Sequence, residues 1–143
     1  MRPEPPSDTD RALFAAAAGA VNQAYAPYSG FPVGAALRAA SGNVFTGCNV
    51  ENASYGLTVC AERIALFAAV AAGERTLAAI AVASGEDGRN PVTPCGACRQ
   101  VLSEFAPQLT VLRLDRDGRL IRDTLARLLP DAFGPPETGD RAE

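Results

Sequence analysis

No histidine and no tryptophan occur among the 143 residues, methionine is present once, and aromatic residues make up only 6% of the chain. With imidazole missing, any transition-metal site must lean on thiolates. Also absent is a basic cluster: 13 Lys and Arg stand against 16 Asp and Glu, a formal net charge of −3. A polynucleotide partner demands a positive groove and, for a single strand, aromatic stacking platforms, so nucleic acid is not an expected partner. No apolar run approaches the roughly 20 residues of a membrane-spanning helix. The opening MRPEPPSD is polar and Pro-rich and lacks the apolar stretch of a secretory leader. The chain reads as cytoplasmic, with no membrane partner.

What is present is the composition of an ordinary folded protein, 48% hydrophobic and 20% charged. A chain of this length makes one domain that buries roughly two-thirds of its unfolded surface. Residues 1–6 and 134–143 are Pro-, Gly- and charge-rich and read as tails around a domain at 7–133. Within that domain Ser7 is placed to cap a helix with Leu13, Phe14, Ala17, Val21 and Ala24 at helical spacing, ending before Pro27. Strands are expected over 33–39 and 43–50, joined by a tight turn at Ala40-Ser41-Gly42, and again over 77–83 and 109–114. Helices are expected over 59–72, stopped by Gly73, and over 96–105, stopped before Pro107. A short strand at 119–122 and a helix at 124–129 follow. Strand-helix-strand alternation implies a parallel pair inside a mixed sheet. The expected fold is α/β, a three-layer α-β-α sandwich around a mixed sheet of about five strands.

The chemistry concentrates at two helix starts. After Cys60 the sequence runs Ala61-Glu62-Arg63-Ile64-Ala65-Leu66-Phe67-Ala68-Ala69-Val70-Ala71-Ala72, apolar on every side except for Glu62 and Arg63. A helix apolar all round is a buried one, and charges at its mouth need partners. Reading Glu62 as a mere complement to the helix dipole, with Thr58 as the cap, is weaker, because a capping box sets its acid three residues after the cap and Glu62 is the fourth. Cys60 stands two residues before Glu62, and Pro94-Cys95-Gly96-Ala97-Cys98 opens the second helix. Without a leader sequence, four cysteines in this arrangement argue for metal chemistry over structural disulfides. A structural zinc site closes with four protein ligands, whereas a catalytic one keeps a position for water. Cys48, in the apolar run Phe45-Thr46-Gly47-Cys48-Asn49-Val50, reads as a small buried hydrophobe, which leaves Cys60, Cys95 and Cys98 as ligands. Two bland readings remain beside this one. A four-cysteine zinc module would leave Glu62 unexplained, and a dithiol redox motif at Cys95 and Cys98 would leave both Cys60 and Glu62 without a role.

A ligand followed two residues later by Glu, and further on by Pro-Cys-x-x-Cys, is the signature of the zinc deaminases. The segments Tyr28-Ser29-Gly30-Phe31-Pro32-Val33-Gly34, Asn49-Val50-Glu51-Asn52 and Cys95-Gly96-Ala97-Cys98-Arg99-Gln100 extend it. With Leu128-Leu129-Pro130-Asp131-Ala132-Phe133, nearly the whole domain resembles the small homotetrameric, three-cysteine cytidine deaminases. The resemblance implies one Zn2+ per subunit held by Cys60, Cys95 and Cys98, Glu62 as proton shuttle, and Arg63 compensating the thiolate charge. It assigns Asn49 and Glu51 to the ribose 3′-hydroxyl, and Phe31 and a neighbouring subunit's Phe133 to the base pocket. Ala61 and Tyr55 complete the substrate-binding set. The implied reaction is hydrolytic deamination of cytidine and 2′-deoxycytidine in pyrimidine salvage, by a homotetramer whose subunits share active sites. A deaminase of an aminonucleoside such as blasticidin S shares the Cys-Ala-Glu and Pro-Cys-Gly-x-Cys-Arg framework, but Asn49-Val50-Glu51-Asn52 and Arg63 favour the cytidine enzymes.

Overall fold

The computed structural model describes residues 4–134, so residues 1–3 and 135–143 of the expected tails, 1–6 and 134–143, lie outside the described residues. Helix α1 (Asp8–Ala20) starts where Ser7 predicts: the Ser7 hydroxyl accepts from the Asp10 amide at 3.1 Å, and the Asp10 carboxylate accepts from the Ser7 amide at 3.0 Å. This reciprocal cap satisfies two backbone donors that the first turn cannot. Leu13, Ala17 and Val21, four residues apart, form the buried stripe.

Strands β1 (Val33–Ala39) and β2 (Val44–Cys48) form an antiparallel hairpin from Gly34 opposite Cys48 to Arg38 opposite Val44. Strand β3 (Leu77–Ser84) runs antiparallel to β1 and parallel to β4 (Thr110–Leu114), and β5 (Leu120–Thr124) pairs antiparallel with β4. The sheet order is β2-β1-β3-β4-β5, the mixed five-stranded sheet expected. Helix α2 (Ala61–Ala71) follows β2, α3 (Gly96–Phe105) joins the parallel pair, and α4 (Leu125–Leu128) is one turn after β5. Alternation along the strands sorts the core into two layers. Ala35, Leu37, Ile80 and Val111 meet Ala65, Leu66 and Leu102 of α2 and α3. On the other face Ala36, Ala79, Ala81 and Leu112 meet Leu13, Ala17 and Val21.

Three sequence expectations are corrected. Strand β2 ends at Cys48 rather than at 50, because Val50 leaves the sheet to exchange backbone hydrogen bonds with Val59 at 2.9 and 3.0 Å. That same bridge keeps Val59 extended, so α2 begins at Ala61 with Cys60 as its cap, and neither Val59 nor Thr58 opens it. Helix α2 is also buried on one side only: Ala65, Leu66 and Ala69 face the sheet while Phe67, Ala68 and Ala71 are exposed.

Small residues set how near the helices lie. A Cβ on Gly47 would stand 2.5 Å from the Ala61 carbonyl oxygen and 2.6 Å from the Ala65 amide, both backbone atoms of α2. Gly47→Ala is therefore expected to push the start of α2 off the sheet and to cost about 1–3 kcal/mol, the usual range for overpacking. Because Cys60 caps that helix, the variant should also lose zinc faster on dialysis, which thermal denaturation and metal analysis would check.

Candidate metal centre and active site

The Val50–Val59 bridge and the close seat of α2 on Gly47 deliver Cys60 to the mouth of α2. The chain after β3 delivers Cys95 to the mouth of α3, where its Sγ accepts from the Cys98 amide at 3.5 Å. The sulfurs of Cys60, Cys95 and Cys98 all lie within 4.8 Å of one another, with Cys60–Cys95 at 3.8 Å and Cys95–Cys98 at 3.4 Å. Zinc–sulfur bonds of about 2.3 Å in a tetrahedron separate sulfurs by about 3.8 Å, so the set fits zinc. Cys48 is elsewhere, half-buried, its Sγ against the Gln23 carbonyl oxygen at 3.4 Å.

The electrostatics favour thiolates. Two helix N-termini direct their positive ends at the sulfurs, and the Arg63 guanidinium donates to Cys60 at 3.4 Å. Hydrogen bonding from the Cys98 thiol, with help from Arg63, outweighs burial and brings the Cys60 thiol down to about 5. The same hydrogen bond, with burial and the nearby Glu62 charge, pushes the Cys98 thiol up. Three thiolates overcompensate a divalent ion and would blunt its acidity, and Arg63 offsets part of that excess. Its Nε is buried with no hydrogen-bond partner among the described residues. Arg99 braces the second ligand loop, its Nε donating to the Pro94 carbonyl at 2.7 Å and its Nη1 to the Leu128 carbonyl at 2.8 Å.

Glu62, in the first turn of α2, is 4% exposed, and burial pushes its carboxyl above the ordinary range. It opens on a cleft of about 290 Å³ whose wall also includes Phe31, Asn49, Glu51, Ala61 and Cys95. Asn49 is buried and grips the β1 entry with both ends of its amide: Oδ1 accepts from the Val33 amide, and Nδ2 donates to the Phe31 carbonyl, each at 2.9 Å. One N–H of that amide is left for a ligand. Glu51 accepts from the amides of Tyr28 and Ser29 at 2.9 and 3.0 Å and from the Ser29 hydroxyl. Hydrogen bonds from Ser29, chiefly, hold the Glu51 carboxyl below the usual range.

Two expected site residues stand apart from the cleft within this chain. Tyr55 lines an adjoining hollow of about 370 Å³ with Tyr28, Glu51 and Thr58, its ring edge-on to that of Tyr28 at 5.9 Å. Phe133 lines neither hollow and is 82% exposed. Sequence reasoning missed Ser29 and Thr58, which border the cleft, as do Val92 and Thr93 ahead of the second cysteine pair. The hydroxyl of Ser29 orients both Glu51 and, by accepting from its amide at 3.0 Å, Phe31. Its place in the Pro27-Tyr28-Ser29 turn, closed by the Gly30 amide on the Ala26 carbonyl, was the available signal, since short hydroxyl side chains organise turns through such bonds.

The family model described as the cytidine and deoxycytidylate deaminase zinc-binding region matches residues 7–113. A cytidine deaminase from Sporosarcina psychrophila is 47% identical over 132 residues, covering 92% of this chain and 96% of that protein. Another, from Halalkalibacterium halodurans, is 51% identical over 118 residues, covering 82% and 88%. The crystal structure of cytidine deaminase from Burkholderia pseudomallei superposes with a TM-score of 0.79 at 54% identity, over 86% of this chain and 98% of that one. With a three-thiolate zinc set and a buried carboxylate beside it, the chain belongs to the cytidine and deoxycytidylate deaminase family.

Proposed function

We propose that the domain at residues 7–133 hydrolyses cytidine to uridine and ammonia, with 2′-deoxycytidine as a second substrate, in pyrimidine salvage. The observation that carries the reading is the buried carboxyl of Glu62 on the wall of the cleft that Cys95, Asn49 and Glu51 also line. Cys60, Cys95 and Cys98 hold the zinc, which supplies the Lewis acidity that brings the pKa of a water from about 15.7 toward about 7. Glu62 accepts the proton of the attacking water and delivers it to N3 of the ring as C4 becomes tetrahedral. It then carries a second proton to the departing amine, the two-way duty that suits a carboxyl raised toward neutrality by burial.

Asn49 and Glu51 read the ribose. The free N–H of Asn49 donates to the 3′-hydroxyl oxygen, and the Glu51 carboxylate, kept ionised by Ser29 and Tyr28, accepts a hydrogen bond from that hydroxyl. Phe31 packs on the base and Ala61 borders it. Four copies of the chain assemble, and Phe133 of one closes the pocket of another. Support for the assembly lies in exposed apolar residues beside the cleft and on α2, with Tyr25 at 53%, Leu57 at 67% and Phe67 at 50%. Monomers rarely leave such groups uncovered in contiguous patches. No helix among the described residues is long and apolar enough to cross a membrane.

The direct test offers zinc-loaded protein cytidine, 2′-deoxycytidine, cytosine and blasticidin S, following ultraviolet absorbance and ammonia. Turnover of both nucleosides without the free base is the expected result. Turnover of blasticidin S alone would move the chain to the aminonucleoside enzymes. Inactivity on all four, with zinc held by four sulfurs, would leave a structural zinc module.

A further inference from the structure

Gln100 stands two residues beyond Cys98 on α3, half-buried, and its side-chain amide takes up both hydrogen-bonding groups of one backbone residue. Its Nε2 donates to the Phe133 carbonyl at 2.7 Å, and its Oε1 accepts from the Phe133 amide at 3.1 Å. The ring so held is 82% exposed, so packing within the chain does not account for where it sits. Arg99, the preceding residue, holds the Leu128 carbonyl of the same C-terminal segment at 2.8 Å. Consecutive side chains of the helix that carries Cys98 thus fix this segment through its backbone and leave the Phe133 side chain turned outward.

A clip of this kind adds little to fold stability. Each hydrogen bond replaces bonds to water and has a modest net worth, and ordering the backbone opposes it. Its effect is to hold the ring ready in one place, the preorganisation that raises affinity without new contacts. The chain's own cleft, meanwhile, is walled on its aromatic side by Phe31 alone, itself 45% exposed.

We infer that Gln100 is a positioning residue of the assembled active site: by gripping the Phe133 backbone it places that ring to close the base end of the cleft in a second copy of the chain. This rests on the assembly reading given under Proposed function. The test is a double-mutant cycle on zinc-loaded protein, reading KM and kcat for cytidine together with zinc content. Phe133→Ala and Gln100→Ala should each raise KM about 5- to 10-fold, with kcat changing less than KM and zinc unchanged. Gln100→Glu keeps the acceptor for the Phe133 amide and loses the donor to its carbonyl, so a rise of about 2- to 4-fold is expected, and this variant carries the test if Gln100→Ala does not fold. In the double variant KM should match that of Phe133→Ala alone. If Phe133→Ala leaves KM unchanged, the assembly reading falls and the role of Gln100 with it. If Phe133→Ala raises KM while the Gln100 variants do not, or if the two effects multiply, only the role of Gln100 is overturned.

Discussion

Replacing Glu62 by Gln is expected to lower kcat for cytidine by about 10³–10⁴-fold, near the upper end of what a positioned acid–base group contributes, while zinc content and the far-ultraviolet spectrum stay as they are. The separation of effects follows from geometry. Glu62 is not one of the three sulfur ligands, and the helix that carries it is positioned by Gly47 and by the Cys60 cap, so an isosteric amide leaves the metal set standing. What the amide cannot do is take a proton from water and return it to the ring nitrogen. KM should change little, because the proposed ribose contacts, Asn49 and Glu51, lie on the segment that leaves β2 and are untouched by the change. Single-turnover kinetics and metal analysis on the same preparation would check both halves. A Glu62→Gln enzyme with a near-normal rate would remove Glu62 from the mechanism, and one that had lost its zinc would show the carboxylate acting on the metal set.

The layered architecture was legible because local signals agreed with one another. Ser7, the Ala40-Ser41-Gly42 turn and the Gly73 stop each mark an element end by backbone chemistry alone. The metal set was legible for a similar reason: with no histidine available, three cysteines at two helix starts left few other donors. Less was readable where long-range backbone pairing decides. Nothing local forbids helix at Thr58 and Val59, and it is the bridge to Val50, nine residues earlier, that holds Val59 extended and makes Cys60 the cap. The second hold of Asn49, on the backbone from Phe31 to Val33, likewise spans some sixteen residues and leaves no periodic trace. The one-sided burial of α2 has another cause. An all-apolar pattern calls for cover on every side, and within a single chain α2 meets the sheet on one face only, leaving Phe67, Ala68 and Ala71 exposed.

Removing zinc should be as damaging as removing the carboxylate, and it should unsettle the fold as well. Any ligand that binds only the native state adds stability by mass action, about 4.1 kcal/mol at a free concentration of 1,000 Kd. For a chain of this size that is a drop of roughly 10–20 °C in Tm on exhaustive chelation. Cys98→Ala should behave like the chelated protein, inactive and insensitive to added zinc, since Cys98 is the fully buried member of the sulfur set. The pH dependence follows from the thiols. In the metal-free cluster Cys60, at about 5, has given up its proton at neutrality, whereas Cys98, pushed up, still holds one that zinc must displace. Each proton so displaced weakens zinc binding about tenfold per unit fall in pH. For Cys60 the sign is that of a lowered acid: its contribution is present above about 5 and is lost as pH falls through that value, where a further proton begins to compete. Zinc affinity should therefore decline on acidification from neutrality and decline more steeply below pH about 5, measurable by competition with a chromogenic chelator across that range. An affinity flat with pH would mean that the thiols are not the ligands, and a chelated protein melting unchanged would leave the helix starts held by packing alone.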